Sequence, residues 1–86
     1  MKIEKKILGE YFEKILGGDK TYELRLADWD CNIGDILVLK EWSKEKNSYT
    51  GRVLEKEVTF VLKTKSIDFW PKEDVEKYGY QIISFK

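Results

Sequence analysis

The amino-acid sequence predicts one α+β domain spanning residues 1–86, on three observations. A single stretch with helical spacing of apolar residues precedes several stretches with strand alternation. Turn residues punctuate the chain between them, at Gly17-Gly18, Gly34-Asp35, the polar run 43–48 and Gly79. A chain of 86 residues buries only about 60–70% of the surface its unfolded form exposes, enough for one core and not for two. Three Trp, five Tyr and four Phe supply that core, because each ring withdraws a large apolar area from water.

Met1, Ile3, Ile7 and Leu8 open the chain in a segment that fits either a sheet edge or the lead into a helix. From Gly9 to Leu16, Phe12, Ile15 and Leu16 recur at helical spacing while Glu10, Glu13 and Lys14 stay outside; the glycine pair then stops the helix. About two turns do not persist alone in water, so the Phe12 face must pack on a sheet. Residues 21–26 alternate, Tyr22, Leu24 and Leu26 against Thr21, Glu23 and Arg25, which predicts a half-buried strand with its leucines inward. Residues 27–32 form a loop, and Gly34-Asp35 turns into an apolar strand over 36–42. The solvated tip 43–48 leads to a long strand over 49–63, whose Leu54, Val58, Phe60 and Leu62 share one face. Gly51 stands where a bulge would re-aim Arg52. Pro71 starts a short helix over 72–77, Gly79 ends it, and residues 80–85 form a closing strand rich in β-branched and aromatic residues. This pattern fits a closed barrel, a split barrel or an open sheet with two helices equally.

Composition removes several function classes. Sixteen Lys and Arg balance sixteen Asp and Glu, so no long-range field gathers polyanions and duplex DNA is not the expected partner. A reader of one nucleotide or of a single-stranded loop needs no such field. The chain has no histidine and a single cysteine, Cys31. That excludes a Cys–His pair, a Ser-His-Asp triad, a histidine-containing zinc site and an internal disulfide within one chain. Cys31 is expected as a small buried hydrophobe, and no metal or cofactor is expected. Nothing approaches the roughly 20 apolar residues of a membrane span, so the expected location is the cytoplasm, away from membranes. Oligomeric state is not legible in the sequence.

The functional signal lies in residues 17–25, GGDKTYELR. Strand alternation places a hydroxyl (Thr21), a carboxylate (Glu23) and a guanidinium (Arg25) on one face, with the Lys20 ammonium at its mouth. On spacing alone this is an exposed ion-pair row contributing about 0–1 kcal/mol. Its chemistry also suits a nucleobase, since Arg offers a planar donor fork, Glu accepts from an exocyclic amine and Lys meets phosphate.

Gly18, Lys20, Glu23 and Arg25 together resemble the G-x-K-x-x-E-x-R signature of ASCH domains, a branch of the PUA-like superfamily. Residues 34–39, 49–52 and Gly79-Tyr80 extend the likeness, to a small bacterial or phage-type branch of uncharacterised function, over nearly the whole chain. The resemblance implies a small PUA-like β-barrel of about five to six mainly antiparallel strands with one or two short helices. It also implies an RNA- or nucleotide-binding module, with RNA or a modified nucleotide as partner. Lys20, Thr21, Glu23, Arg25, Trp29, Thr50 and Arg52 are the candidate site residues. Trp29, between Asp28 and Asp30 in a loop, has an indole suited to base stacking, although packing down on the fold is the commoner fate of such a ring. Trp42, Trp70 and Tyr22 are expected in the core.

Two other readings accompany this one. Some ASCH relatives resemble amidohydrolases of acylated cytidine, in which the motif lysine works with a threonine and a glutamate. Lys20 matches, but Glu23 stands where those enzymes have threonine, so Lys20 and Glu23 are the residues that an enzyme reading has to use. The third reading is a protein-interaction module.

Overall fold

A computed structural model of the chain describes residues 1–66 and 68–79. Among them three strands form one sheet in the order β1-β2-β3, with β1 at Lys2–Leu8, β2 at Ile36–Ser43 and β3 at Ser48–Glu57. Two helices accompany it, α1 at Gly9–Leu16 and α2 at Lys72–Tyr78. The α+β class is thus observed. β1 pairs with β2 in parallel, Ile3 opposite Leu37 and Ile7 opposite Glu41, and β2 pairs with β3 antiparallel, Leu39 opposite Leu54. Parallel pairing needs a crossover connection, and here it runs through α1.

Register divides the side chains between two faces. Ile3, Lys5 and Ile7 share one face with Leu37, Leu39 and Glu41, while Lys6, Lys40 and Trp42 share the other. α1 lies on the first face and closes a core of Ile7, Phe12, Ile15 and Leu39, with Leu37 and Leu54 packed against it. Phe12 and Leu39 are the most deeply buried side chains. Leu16 turns outward, half exposed, because a helix of two turns presents one narrow stripe to the sheet and Phe12 and Ile15 already fill it.

The glycine pair ends α1 as its composition demands. Gly18 has φ of 86°, a left-handed conformation that costs glycine nothing. The Lys14 carbonyl then accepts from the backbone N–H groups of both Asp19 and Lys20, at 2.9 and 3.0 Å, so the helix end itself positions Lys20.

Four expectations are corrected. Among the described residues, 21–26 join no sheet ladder, and Leu24 and Leu26 are 69% and 81% exposed: Arg25 reaches the Lys6 carbonyl on the sheet while Glu23 pairs with Lys20 and Arg25, and the leucines face out. β3 stops at Glu57; Val58 is buried, but its N–H and carbonyl go to Asp35 and Gly34 rather than to a neighbouring strand. Phe60 and Leu62 are exposed as a result. Trp70 and Tyr22 are also exposed and Trp42 is only half-buried, since the core beneath α1 is filled by aliphatic residues and Phe12. Cys31 is half-buried, at the edge of a groove rather than inside the core.

The predicted strand 80–85 lies outside the described residues. No helix among the described residues is long and apolar enough to cross a membrane.

Candidate functional site

Beside α1, on the core-bearing face of the sheet, lies a groove of about 390 Å³, within the range of roughly 300–1,000 Å³ usual for small-molecule clefts. Its floor is apolar, with Leu37, Leu39 and Val58. One wall is the extended stretch after Gly18, and Lys20, Thr21, Glu23, Arg25 and Trp29 all line the cavity. Five of the seven candidate residues therefore meet in one place.

Glu23 organises the wall. Its Oε1 accepts from Lys20 Nζ at 2.6 Å and its Oε2 from Arg25 Nε at 2.9 Å. Lys20 also donates to the Tyr22 carbonyl at 2.5 Å and lies 4.6 Å from the centre of the Tyr22 ring. Arg25 Nη2 donates to the Lys6 carbonyl at 2.5 Å, which straps the wall to β1. The Lys20 and Glu23 side chains are only 12% and 16% exposed, far more enclosed than the solvated row expected of a strand face. Such enclosure weakens screening and strengthens each charge-assisted hydrogen bond.

Trp29 borders the same cavity with Lys5 Nζ 3.9 Å from its ring centre. The contact is a cation–π pair and holds the indole at the groove. Lys5 was not among the candidates. The signal that points to it is parity, since Lys5 alternates with Ile3 and Ile7 and so must face the core side of β1.

Thr50 and Arg52 do not line the groove. They converge on Glu41, which is 6% exposed. The register shifts between Lys40 and Trp42, so that residues 50–52 of β3 stand opposite Glu41 alone. Gly51, at φ of 94°, permits the bulge. Thr50 Oγ1 donates to Glu41 Oε1 at 2.6 Å, Arg52 Nε to the same oxygen at 2.9 Å and Arg52 Nη2 to Oε2 at 2.8 Å. Arg52 also bonds Glu13 of α1 and lies 4.6 Å from the Phe12 ring centre. Hydrogen bonds from Arg52 and then Thr50 hold the Glu41 carboxyl down at about 2, and Glu41 and Glu13 raise the Arg52 pKa. Arg52 is thus re-aimed by the bulge, toward Glu41 rather than toward Lys20. Glu41 itself was missed at the sequence level, although it shares parity with Leu37 and Leu39 inside an apolar run.

Residues 3–84 match the family described as a domain of unknown function, DUF3850. The chain belongs to this family. An uncharacterised 12.9 kDa protein of the GpA 3′ region of Escherichia phage P2 is 38% identical to the DUF3850 chain over 58 residues. The match takes in 67% of the chain and 51% of the phage protein, so the DUF3850 chain spans about half the length of that relative. No solved structure matches it.

Proposed function

We propose that this domain binds a nucleotide unit, free and modified or within single-stranded RNA, in the groove beside α1. One observation carries the reading: Glu23, held between Lys20 and Arg25, edges an apolar-floored cavity with an indole at its border. A base slotted there accepts from the guanidinium, donates an exocyclic amine to the carboxylate and stacks on Trp29, while the ammonium of Lys20 meets phosphate. The fold half of the proposal is a PUA-like, ASCH-type barrel of five to six strands, a reading compatible with the three paired strands. Thr50 and Arg52 serve this reading indirectly, by pinning α1 and hence Lys20.

The test is a titration followed by backbone-amide NMR shifts, with nucleosides, short single-stranded RNA and single-stranded DNA. Shifts are expected to gather at residues 20–25 and 29. Lys20→Ala and Arg25→Ala are each expected to weaken binding about tenfold or more, in line with lost charge-assisted hydrogen bonds. Their melting temperatures should fall only modestly, because Glu23 keeps one cation in either variant, and the affinities are compared at a temperature where both variants are folded. Unaltered affinity in both variants, or shifts gathered elsewhere, overturns the groove as the site.

One observation favours the hydrolase as a second reading. Thr21 lines the cavity together with Lys20, because residues 21–26 are not a regular strand and Thr21 is not forced to the opposite face. Against it, Lys20 Nζ donates to the Glu23 carboxylate and the Tyr22 carbonyl, so its hydrogen bonds are committed to the protein rather than directed at a substrate in the groove. Acetylated cytidine is therefore expected to survive incubation with the protein. Product release at about 1 per second or more, lost in Lys20→Ala, makes the hydrolase the correct reading.

A further inference from the structure

The sheet face opposite α1 carries a second constellation. Trp42 of β2 and Tyr49 of β3 stand directly opposite in register, their rings 5.0 Å apart and edge to face. Lys6 Nζ lies 3.9 Å from the Trp42 ring centre and 6.0 Å from that of Tyr49, and Lys40 Nζ lies 5.3 Å from Tyr49. Tyr49 and the neighbouring Val53 are 51% and 47% exposed. We infer that this face is a stacking platform for single-stranded nucleic acid, with Tyr49 and Trp42 receiving bases and Lys6 and Lys40 receiving phosphates. It goes beyond the groove reading and uses none of the groove's residues.

Three points select this occupant. Among the described residues, the ring contacts are the only interactions of the Lys6 ammonium, and the Lys40 ion pair with Glu4 is long at 3.7 Å. Both cations are therefore available to a phosphate. Lys44 and Lys46, around a single Glu45, stand in the hairpin next to Tyr49, while the carboxylates of this face, Glu4, Glu55 and Glu57, lie toward the other end of the strands, with Glu55 paired to Lys2. A protein partner fits poorly, because lysine is depleted at the cores of protein interfaces, whereas aromatic rings interleaved with cations are what sequence-tolerant binding of single strands requires. A duplex does not offer its base faces. A base must displace a lysine from the rings, a contact worth about 2- to 5-fold at an exposed site. Stacking returns about 5- to 150-fold per base, and the displaced ammonium moves to phosphate.

Fluorescence anisotropy with labelled octamers of uridine and of thymidine tests this. Stacking and phosphate contacts read no 2′-hydroxyl, so similar affinities for the two are expected, and binding of neither overturns the platform. Tyr49→Ala should weaken octamer binding about 5- to 150-fold, whereas Tyr49→Phe, which keeps the ring, should retain it. The Lys6→Gln/Lys40→Gln double variant should flatten the slope of log affinity against log salt by about 1.4, the value for two phosphates on a single strand. That variant leaves the rings in place and so decides the matter even if Tyr49→Ala fails to fold. Unchanged octamer affinity in Tyr49→Ala, or an unchanged salt slope in the lysine variant, overturns the platform. A mononucleotide that shifts residues 20–25 in the same variants shows the groove intact, so the failure of one site is separable from the failure of the other.

Discussion

Phe12→Ala is expected to lower the melting temperature by about 12 °C or more. Phe12 is 2% exposed and central to the only buried apolar cluster among the described residues, with Ile7, Ile15 and Leu39. Truncating a buried Phe costs about 3–5 kcal/mol, and an 86-residue domain has only about 4–13 kcal/mol of stability in total. Phe12 also supports the Arg52 guanidinium, so its loss loosens the Glu41 cluster as well. Leu16→Ala on the same helix is the control, since Leu16 is half exposed and its truncation should be nearly silent. Circular-dichroism melts of the two variants decide the matter: a Phe12→Ala protein melting within a few degrees of wild type means that α1 is not what closes the core.

Arg52→Ala should produce the second large loss, a fall in melting temperature of roughly 5–10 °C at neutral pH, because it leaves the buried Glu41 carboxylate without its half-exposed cation. The Glu41 carboxylate would keep Thr50 but lose its bidentate cation, in a place where Gly9 leaves it little room: a Cβ added at Gly9 would stand 3.1 Å from Glu41 Oε2. The effect has a pH signature. Glu41 is held at about 2 in the folded protein against an ordinary value of 4.5, so the folded state binds this proton more weakly than the unfolded state. The stabilisation is therefore complete above about 4.5 and disappears as pH falls toward 2. Wild type and Arg52→Ala should thus differ most at neutral pH and converge in acid. A difference that stays constant across that window, or no difference at neutral pH, removes Glu41 from its place as the acid-sensitive element of the fold.

The two polar clusters act on adjacent residues of α1, and this couples fold to site. Phe12 and Glu13 tie the helix to Arg52 on β3, while the carbonyl of the next residue, Lys14, holds the backbone of Lys20. Weakening the Glu41 cluster should therefore disturb the groove through the helix, although Thr50 and Arg52 do not line it.

Much of this protein was legible in local sequence, wherever a short-range rule sufficed. The limits of α1 follow from apolar spacing and a glycine pair, and the position of Lys20 follows from that stop. β2 follows from an apolar run behind Gly34-Asp35, the second helix from Pro71 and Gly79 to within a residue, and the Glu23–Arg25 contact from their separation by two residues. Only the tertiary structure decided what depends on partners distant in the chain. Alternation in residues 21–26 defines two faces without saying which turns inward; the Lys6 carbonyl of β1 settled that by accepting from Arg25, so the charged side went in and the leucines out. The first eight residues are ambiguous by themselves and became a strand because β2 offers a parallel edge. Arg52 could be placed beside a bulge from sequence, but its partner Glu41 is eleven residues away across a hairpin. Hydrogen-bonding groups must be satisfied somewhere once water is excluded, and for Glu41 and Arg52, and for Arg25 on the Lys6 carbonyl, the choice of partner was made by the packing of the helix and sheet rather than by the order of residues along the chain.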